Sequence, residues 1–221
     1  MHHVFVETNW VVDYAAPAHH KKASAVELLE RAARGDLRLH LPAVCLNEAR
    51  RTLKKFKPRH EADAIRGFLR WATGEKKLSA QEGDVVRRAL DMFEQKVHGE
   101  LGQVDATLAA LRGHDGLEVF ALDEAMLGRA IDLSGGELDF AQPFDQAILA
   151  AILVKAEALW AAGEVELSFC ELDGDLQPWD KKGDAKPFLR KLYDRANLWV
   201  FGTFDLDDPP RPPGWGGAVS G

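Results

Sequence analysis

VFVETNWVVD, residues 4–13, sets an acid and two small polar residues inside an otherwise apolar run. HVFVETNWVV (3–12) alternates and then turns continuously apolar, which reads as a buried strand. Outward from it, residues 18–34 read as a helix. Val26, Leu28, Leu29, Ala32 and Ala33 recur at helical spacing, and Gly35 stands where a helix stop is expected. LRLHL (37–41) reads as a second short strand. Pro42 then opens a helix carrying Val44, Leu46, Glu48, Ala49 and Leu53. Strand, helix, strand, helix argues for a parallel sheet with helices on its faces.

The middle of the chain is helical over 60–72 and 81–112, with Gly99 and Gly102 as interruptions of the longer helix. LEVFAL (117–122) reads as a strand and DEAMLGRAIDLSGG as a helix stopped by its glycines. PFDQAILAAILVKAEALWAAG is the most apolar helix, and VELSFC (165–170) a strand. KPFLRKLYDRA (186–196) reads as a helix and LWVFGTF (198–204) as a last strand. The expected fold is α/β, a central mostly parallel sheet flanked by helices. It forms a single domain over 1–205 with an expanded helical region at about 57–116. Residues 206–221, rich in Pro and Gly, read as a flexible tail, and 173–187 as a long loop.

The chain has 221 residues, of which 46% are apolar, enough for a sizeable core. No apolar run reaches the ~18 residues needed to span a bilayer, and no export signal is visible, so no membrane partner and a cytoplasmic location are expected. Cys45 and Cys170 sit in apolar segments and read as buried thiols. His2, His3, His19 and His20 form two adjacent pairs and read as surface or start-region histidines. The net charge of −7 argues against a protein that coats nucleic acid. Basic residues are nevertheless concentrated in ARRTLKKFKPRH (49–60). No zinc-ligand spacing, nucleotide-binding glycine fingerprint or serine-nucleophile elbow is present.

Four acids each stand at the end of an apolar segment: Glu7, Glu48, Asp145 and Asp173, with Asp175 two residues beyond the last. Taken singly, each has an ordinary explanation. Glu7 suits a strand end facing water, and Glu48 a solvated helix. Asp145 suits the favourable first turn of a helix, and Asp173 a D-G-D turn. Taken together on an alternating α/β scaffold, they are placed to converge, because ligands in parallel sheets bind beyond the carboxyl ends of the strands. Carboxylates so gathered repel one another unless a hard cation lies between them, and oxygen-only ligand sets suit Mg²⁺ or Mn²⁺.

The order of these motifs resembles that of PIN-domain nucleases. VFVETNWVVD resembles the family's opening strand, apolar residues followed by Asp-Thr-Asn. PAVCLNEARRTL resembles its second acid, a Glu on a helix, and FDQAILAAIL its third, an Asp opening a buried helix. FCELDGDL resembles its fourth, an acidic turn after a strand. The resemblance spans roughly residues 3–56 and 117–205. It departs from the family at Glu7, where an Asp is usual, and at the missing Thr or Ser before the fourth acid.

The resemblance implies a metal-dependent endoribonuclease. Glu7, Glu48, Asp145 and Asp173 would be the catalytic acids, holding Mg²⁺ or Mn²⁺ with Asp175. Thr8 and Asn9 would orient them, and Arg50, Arg51, Lys54, Lys55 and Lys57 would bind the RNA substrate, single-stranded or looped. It extends to the toxin half of a toxin–antitoxin pair, with an antitoxin protein as partner and a homodimer as assembly. The alternative is a catalytically inactive PIN-like module that binds RNA or protein, a reading that rests on Glu7 in place of Asp. A different acid-based phosphohydrolase would want Asp-x-Asp at the first strand, where Glu7-Thr8-Asn9 stands.

Overall fold

The computed structural model describes residues 1–56, 58–134 and 143–208, the side chains at 58–61 and 143 excepted. Lys57 and residues 209–221 of the expected tail lie outside the described residues. The chain runs β1 (His2–Phe5), α1 (Thr8–Ala15), α2 (Ala23–Ala33), β2 (Leu37–Pro42), α3 (Ala43–Lys54), α4 (Pro58–Gly74) and α5 (Ala80–Gly102). It continues through α6 (Val104–Arg112), β3 (Leu117–Phe120), α7 (Glu124–Ser134), α8 (Pro143–Ala161), β4 (Glu166–Cys170), α9 (Pro187–Arg195) and β5 (Trp199–Phe201). The strands form one five-stranded sheet in the order β3-β2-β1-β4-β5, and every pairing is parallel. The fold is α/β, as the alternation of elements requires.

The deciding stretch behaves differently from its expected reading as one strand over 3–12. β1 ends at Phe5, and a helix runs from Thr8 to Ala15. Glu7 stands between them with an extended backbone (φ −129°, ψ −164°), and its carboxylate accepts the Asn9 N–H, which caps α1. The helix then buries Trp10, Val11 and Ala15 in the core, and the Trp10 indole donates to the Ala25 carbonyl at 3.1 Å. A short apolar run carries no period that separates a buried strand from a buried helix. The 81–112 helix is likewise two helices, broken at Gln103 directly after Gly102. Gly35, at φ +82°, ends the α2 turn as its position suggests.

α8 carries the most continuous core surface: Ile148, Leu149, Ile152 and Leu153 are each at most 1% exposed. A helix apolar on every side is held by neighbours all round, and α8 packs against α7, α9 and β2. Its first turn is therefore fixed in place. Cys45 and Cys170 are buried free thiols, as expected. Among the described residues no helix is long and apolar enough to cross a membrane.

The start-region histidines need correction. His3 is buried on the sheet, together with His40 of β2. The His3 Nδ1 and His40 Nε2 atoms lie 2.8 Å apart and share a proton. Their outer nitrogens lie 3.2 Å from a Glu164 carboxylate oxygen and 3.0 Å from one of Glu118, close but off the hydrogen-bond line. Lys155 of α8 holds Glu118 at 2.6 Å. Only His19 and His20 are exposed as expected.

Candidate active site

From β1 the chain builds one half of the sheet through β2 and β3 and returns on the other side as β4 and β5. Ligands in open parallel sheets bind where the strand order reverses, outside the carboxyl ends of the strands. Here that crevice opens between β1 and β4. The register pairs Phe5 with Phe169. Two residues past this pair, beyond the ends of both strands, stand Glu7 and Glu171, near enough that the charge of Glu7 acts on Glu171. Both acids are buried, Glu7 at 4% exposure and Glu171 at 0%.

The other acids reach the same place from different elements. Glu48 projects from the second turn of α3, and Asp145 from the fixed first turn of α8. Asp173 lies two residues past Glu171 in the loop after β4, where its N–H donates to Glu171 Oε1 and its own carboxylate accepts the Asp175 N–H at 2.9 Å. Their mutual influence is electrostatic and unfavourable. Burial pushes the Glu7 carboxyl up to about 8, the Asp173 and Glu48 charges add to the rise, and the Asn9 N–H opposes it. Burial also lifts Asp145 to about 6, helped by Asp173, Glu48 and Asp175. Glu171 is driven well above the carboxylate range by burial and then by Glu7. Among the described residues none of these six acids forms an ion pair.

The two small polar residues after Glu7 do separate jobs. The Thr8 hydroxyl donates to Glu48 Oε2 and so ties α1 to α3 across the pocket. The Asn9 N–H lies 2.9 and 2.8 Å from the two Glu7 oxygens. The structure thus brings together all the acids expected from the sequence, with Thr8 and Asn9 beside them. It adds Glu171, which sequence reasoning passed over for the more visible D-G-D turn. The signal was there: an acid at the carboxyl end of a strand, as at Glu7. Its value depends on knowing that β1 and β4 are neighbours.

The chemistry of the donors fits a divalent ion. Every candidate ligand is a carboxylate oxygen, as Mg²⁺ and Mn²⁺ prefer. Glu171 Oε2 is also buried without a hydrogen-bond partner, which is costly for a group that is to carry charge. Among the described residues no three His, Cys, Asp or Glu side chains are closed up into a ready ligand set.

Beside the acids, α3 and the start of α8 border a groove of about 600 Å³ lined by Glu48, Arg51, Lys55 and Phe144 among others. The basic residues expected to bind RNA divide here. Arg50 grips Asp105 through two nitrogens at 2.6 and 2.9 Å, and Lys54 lies 3.6 Å from the same carboxylate. Arg51 and Lys55 are exposed and have no ion-pair partner among the described residues.

Compared with known protein families, with curated proteins and with solved structures, the chain matches none.

Proposed function

We propose that this chain is a metal-dependent endoribonuclease of PIN-like architecture, cutting RNA phosphodiester bonds at the crevice between β1 and β4. One observation carries the reading. Two buried glutamates, Glu7 and Glu171, stand just past the carboxyl ends of the adjacent parallel strands β1 and β4, further acids act on them, and no described cation neutralises them. A purely structural role gives no reason to bury like charges together.

In this reading Glu7, Glu171, Asp145 and Asp173 would hold Mg²⁺ or Mn²⁺, with Glu48 and Asp175 at the margin. The ion would supply a lowered pKa for attacking water and neutralisation of phosphate oxygens. The chain's own contribution is placement. Thr8 fixes the Glu48 carboxylate, Asn9 fixes that of Glu7, and the buried α8 fixes Asp145. Arg51 and Lys55 supply positive charge to the phosphates of a strand leading away from the acids. The toxin–antitoxin role belongs to the same proposal. A small DNA-binding protein encoded beside this chain that suppresses its cleavage would support that part.

A second reading is favoured by one contact. Both Glu7 oxygens already face the Asn9 N–H as a helix cap, which by itself would suit an inactive PIN-like module that binds RNA or protein. Cleavage of RNA in Mn²⁺ by the wild-type chain, abolished by chelation and by Asp145→Asn, separates the two. Binding without metal-dependent cleavage would leave the inactive module.

A further inference from the structure

We infer that the groove beside Glu48 seats one unpaired nucleotide of the RNA, its base against Phe144 and its phosphate on Arg51 and Lys55. The inference rests on the ribonuclease reading of the adjoining acids. A single-stranded substrate already comes with that reading; the inference adds the side chains that would hold one of its nucleotides.

Three features of the groove converge on this occupant. The first is a line of side chains on α3. Val44, Glu48, Arg51 and Lys55 follow one another at spacings of four, three and four, so they share one helix face. The face runs from apolar, through the acid of the proposed metal site, to two cations with no ion-pair partner among the described residues. A strand whose scissile phosphate lies at the acids has its next phosphate directed along these cations. Arg50 and Lys54 also border the groove, off this line, where Asp105 engages them.

The second feature is Phe144. The residue is 41% exposed, one turn before the buried middle of α8, where Ile148, Leu149, Ile152 and Leu153 each reach 1% at most; Trp160 at the far end of the helix is equally exposed but lines no part of this groove. Phe144 faces the same groove as Glu48, Arg51 and Lys55. Glu48 is an acid of the proposed metal site, so a base stacked on Phe144 belongs to a nucleotide near the cut bond. Base–aromatic stacking is worth ~1–3 kcal/mol per base and tolerates any base.

The third is the size and polarity of the groove. About 600 Å³ falls within the ~300–1,000 Å³ of ordinary small-ligand sites. Val44 and Phe144 supply apolar wall, and Asn47 an amide that can pair with a base edge. A base in a duplex has both faces stacked on its neighbours and offers none to Phe144, which selects against paired RNA.

The test uses the full chain and a phosphorothioate RNA carrying one 2-aminopurine, single-stranded or annealed to its complement, in Mg²⁺. Binding of the single strand should quench the 2-aminopurine fluorescence. Phe144→Ala should weaken it about 10-fold or more, as ~1.4 kcal/mol of lost stacking requires. Phe144→Tyr should stay within about twofold of wild type, since the ring face is kept. Arg51→Ala with Lys55→Ala should lower the salt dependence by about two counterions' worth. Equal affinity of Phe144→Ala and wild type, equal affinity for duplex and single strand, or no binding by the wild type would each overturn the seat. Cleavage of unmodified RNA in Mn²⁺ is measured alongside. Cutting that survives intact in Phe144→Ala rejects the seat and leaves the ribonuclease reading. Phe144-dependent binding with no cutting rejects the ribonuclease reading and leaves the seat.

Discussion

Two groups of buried ionisable side chains share one small sheet, and they are arranged in opposite ways. On one face, His3 and His40 lie between Glu164 and Glu118, and each carboxylate has an opposite charge beside it, the Met1 amino group for Glu164 and Lys155 for Glu118. Beyond the carboxyl ends of β1 and β4, Glu7 and Glu171 lie among further acids with no described ion pair. The first arrangement is complete within the chain. Burial lowers His40 to about 4 and keeps the imidazole neutral. Burial also pushes Glu118 up, but the Lys155 and His40 contacts outweigh it and hold the carboxyl below its ordinary value. The second has no neutralising partner among the described residues, and in the proposed reading an ion from solution supplies it. Folds keep unfavourable electrostatics where function needs them, and this contrast locates the site without any appeal to resemblance.

The largest expected effect tests the acid group in its role. Asp145→Asn should reduce Mn²⁺-dependent RNA cleavage about 100-fold or more, because it removes one donor from the fixed start of α8. Cleavage by the variant at the wild-type rate would take Asp145 out of the site.

Next is the stability of the metal-free chain, for which the two groups predict opposite pH slopes. Glu7 rises from 4.5 to about 8 on folding. Between those values the folded chain holds more protons than the unfolded one, so its stability falls as pH rises. His40 goes from 6.5 to about 4. Between those values the unfolded chain holds more protons, so stability falls as pH drops. The slopes oppose each other between pH 4.5 and 6.5, and the acids act alone from there to about 8. Urea denaturation at pH 8 in chelator should therefore find Glu7→Gln more stable than wild type by about 3 kcal/mol. A loss of stability on that substitution would mean that Glu7 acts mainly as an ionised cap for α1. His40→Phe should flatten the acid-side decline below pH 6.5, by about 1–2 kcal/mol, while leaving the slope near pH 8 unchanged. If it altered both slopes, the two groups would not be independent.

How far these groups were legible in the sequence follows from which contacts make them. The α/β class and most elements were readable because helical period and short apolar runs are local signals. The expected strand at 3–12 was wrong past Phe5, because Thr8-Asn9-Trp10-Val11-Val12 carries no period to mark a helix and Glu is not among the favoured N-cap residues. Glu7, Glu48, Asp145 and Asp173 were readable as acids next to apolar segments. Glu171 and the His3–His40 pair were not, since each owes its environment to a neighbour across the sheet. His3 and His40 are 37 residues apart. Glu7 and Glu171 become neighbours only through the parallel pairing of β1 with β4. The basic cluster was visible as composition. Its division into Arg50 and Lys54, held by Asp105, and Arg51 and Lys55, without a described ion-pair partner, needed α6 to be placed beside α3.

That division gives the smallest effect. Arg51→Ala should weaken RNA binding and lower its salt dependence by about one counterion, and Arg50→Ala should do so less. Equal losses would mean that the Asp105 pair opens on binding.

The most direct test of the account is calorimetric titration of Mn²⁺ into the wild-type chain and Glu171→Gln at pH 8. The account predicts saturable binding that releases protons as the raised carboxyls ionise, and about 10-fold or greater weakening in the variant. Wild-type chain that takes up no Mn²⁺, or a variant that binds it equally well with the same proton release, would contradict it.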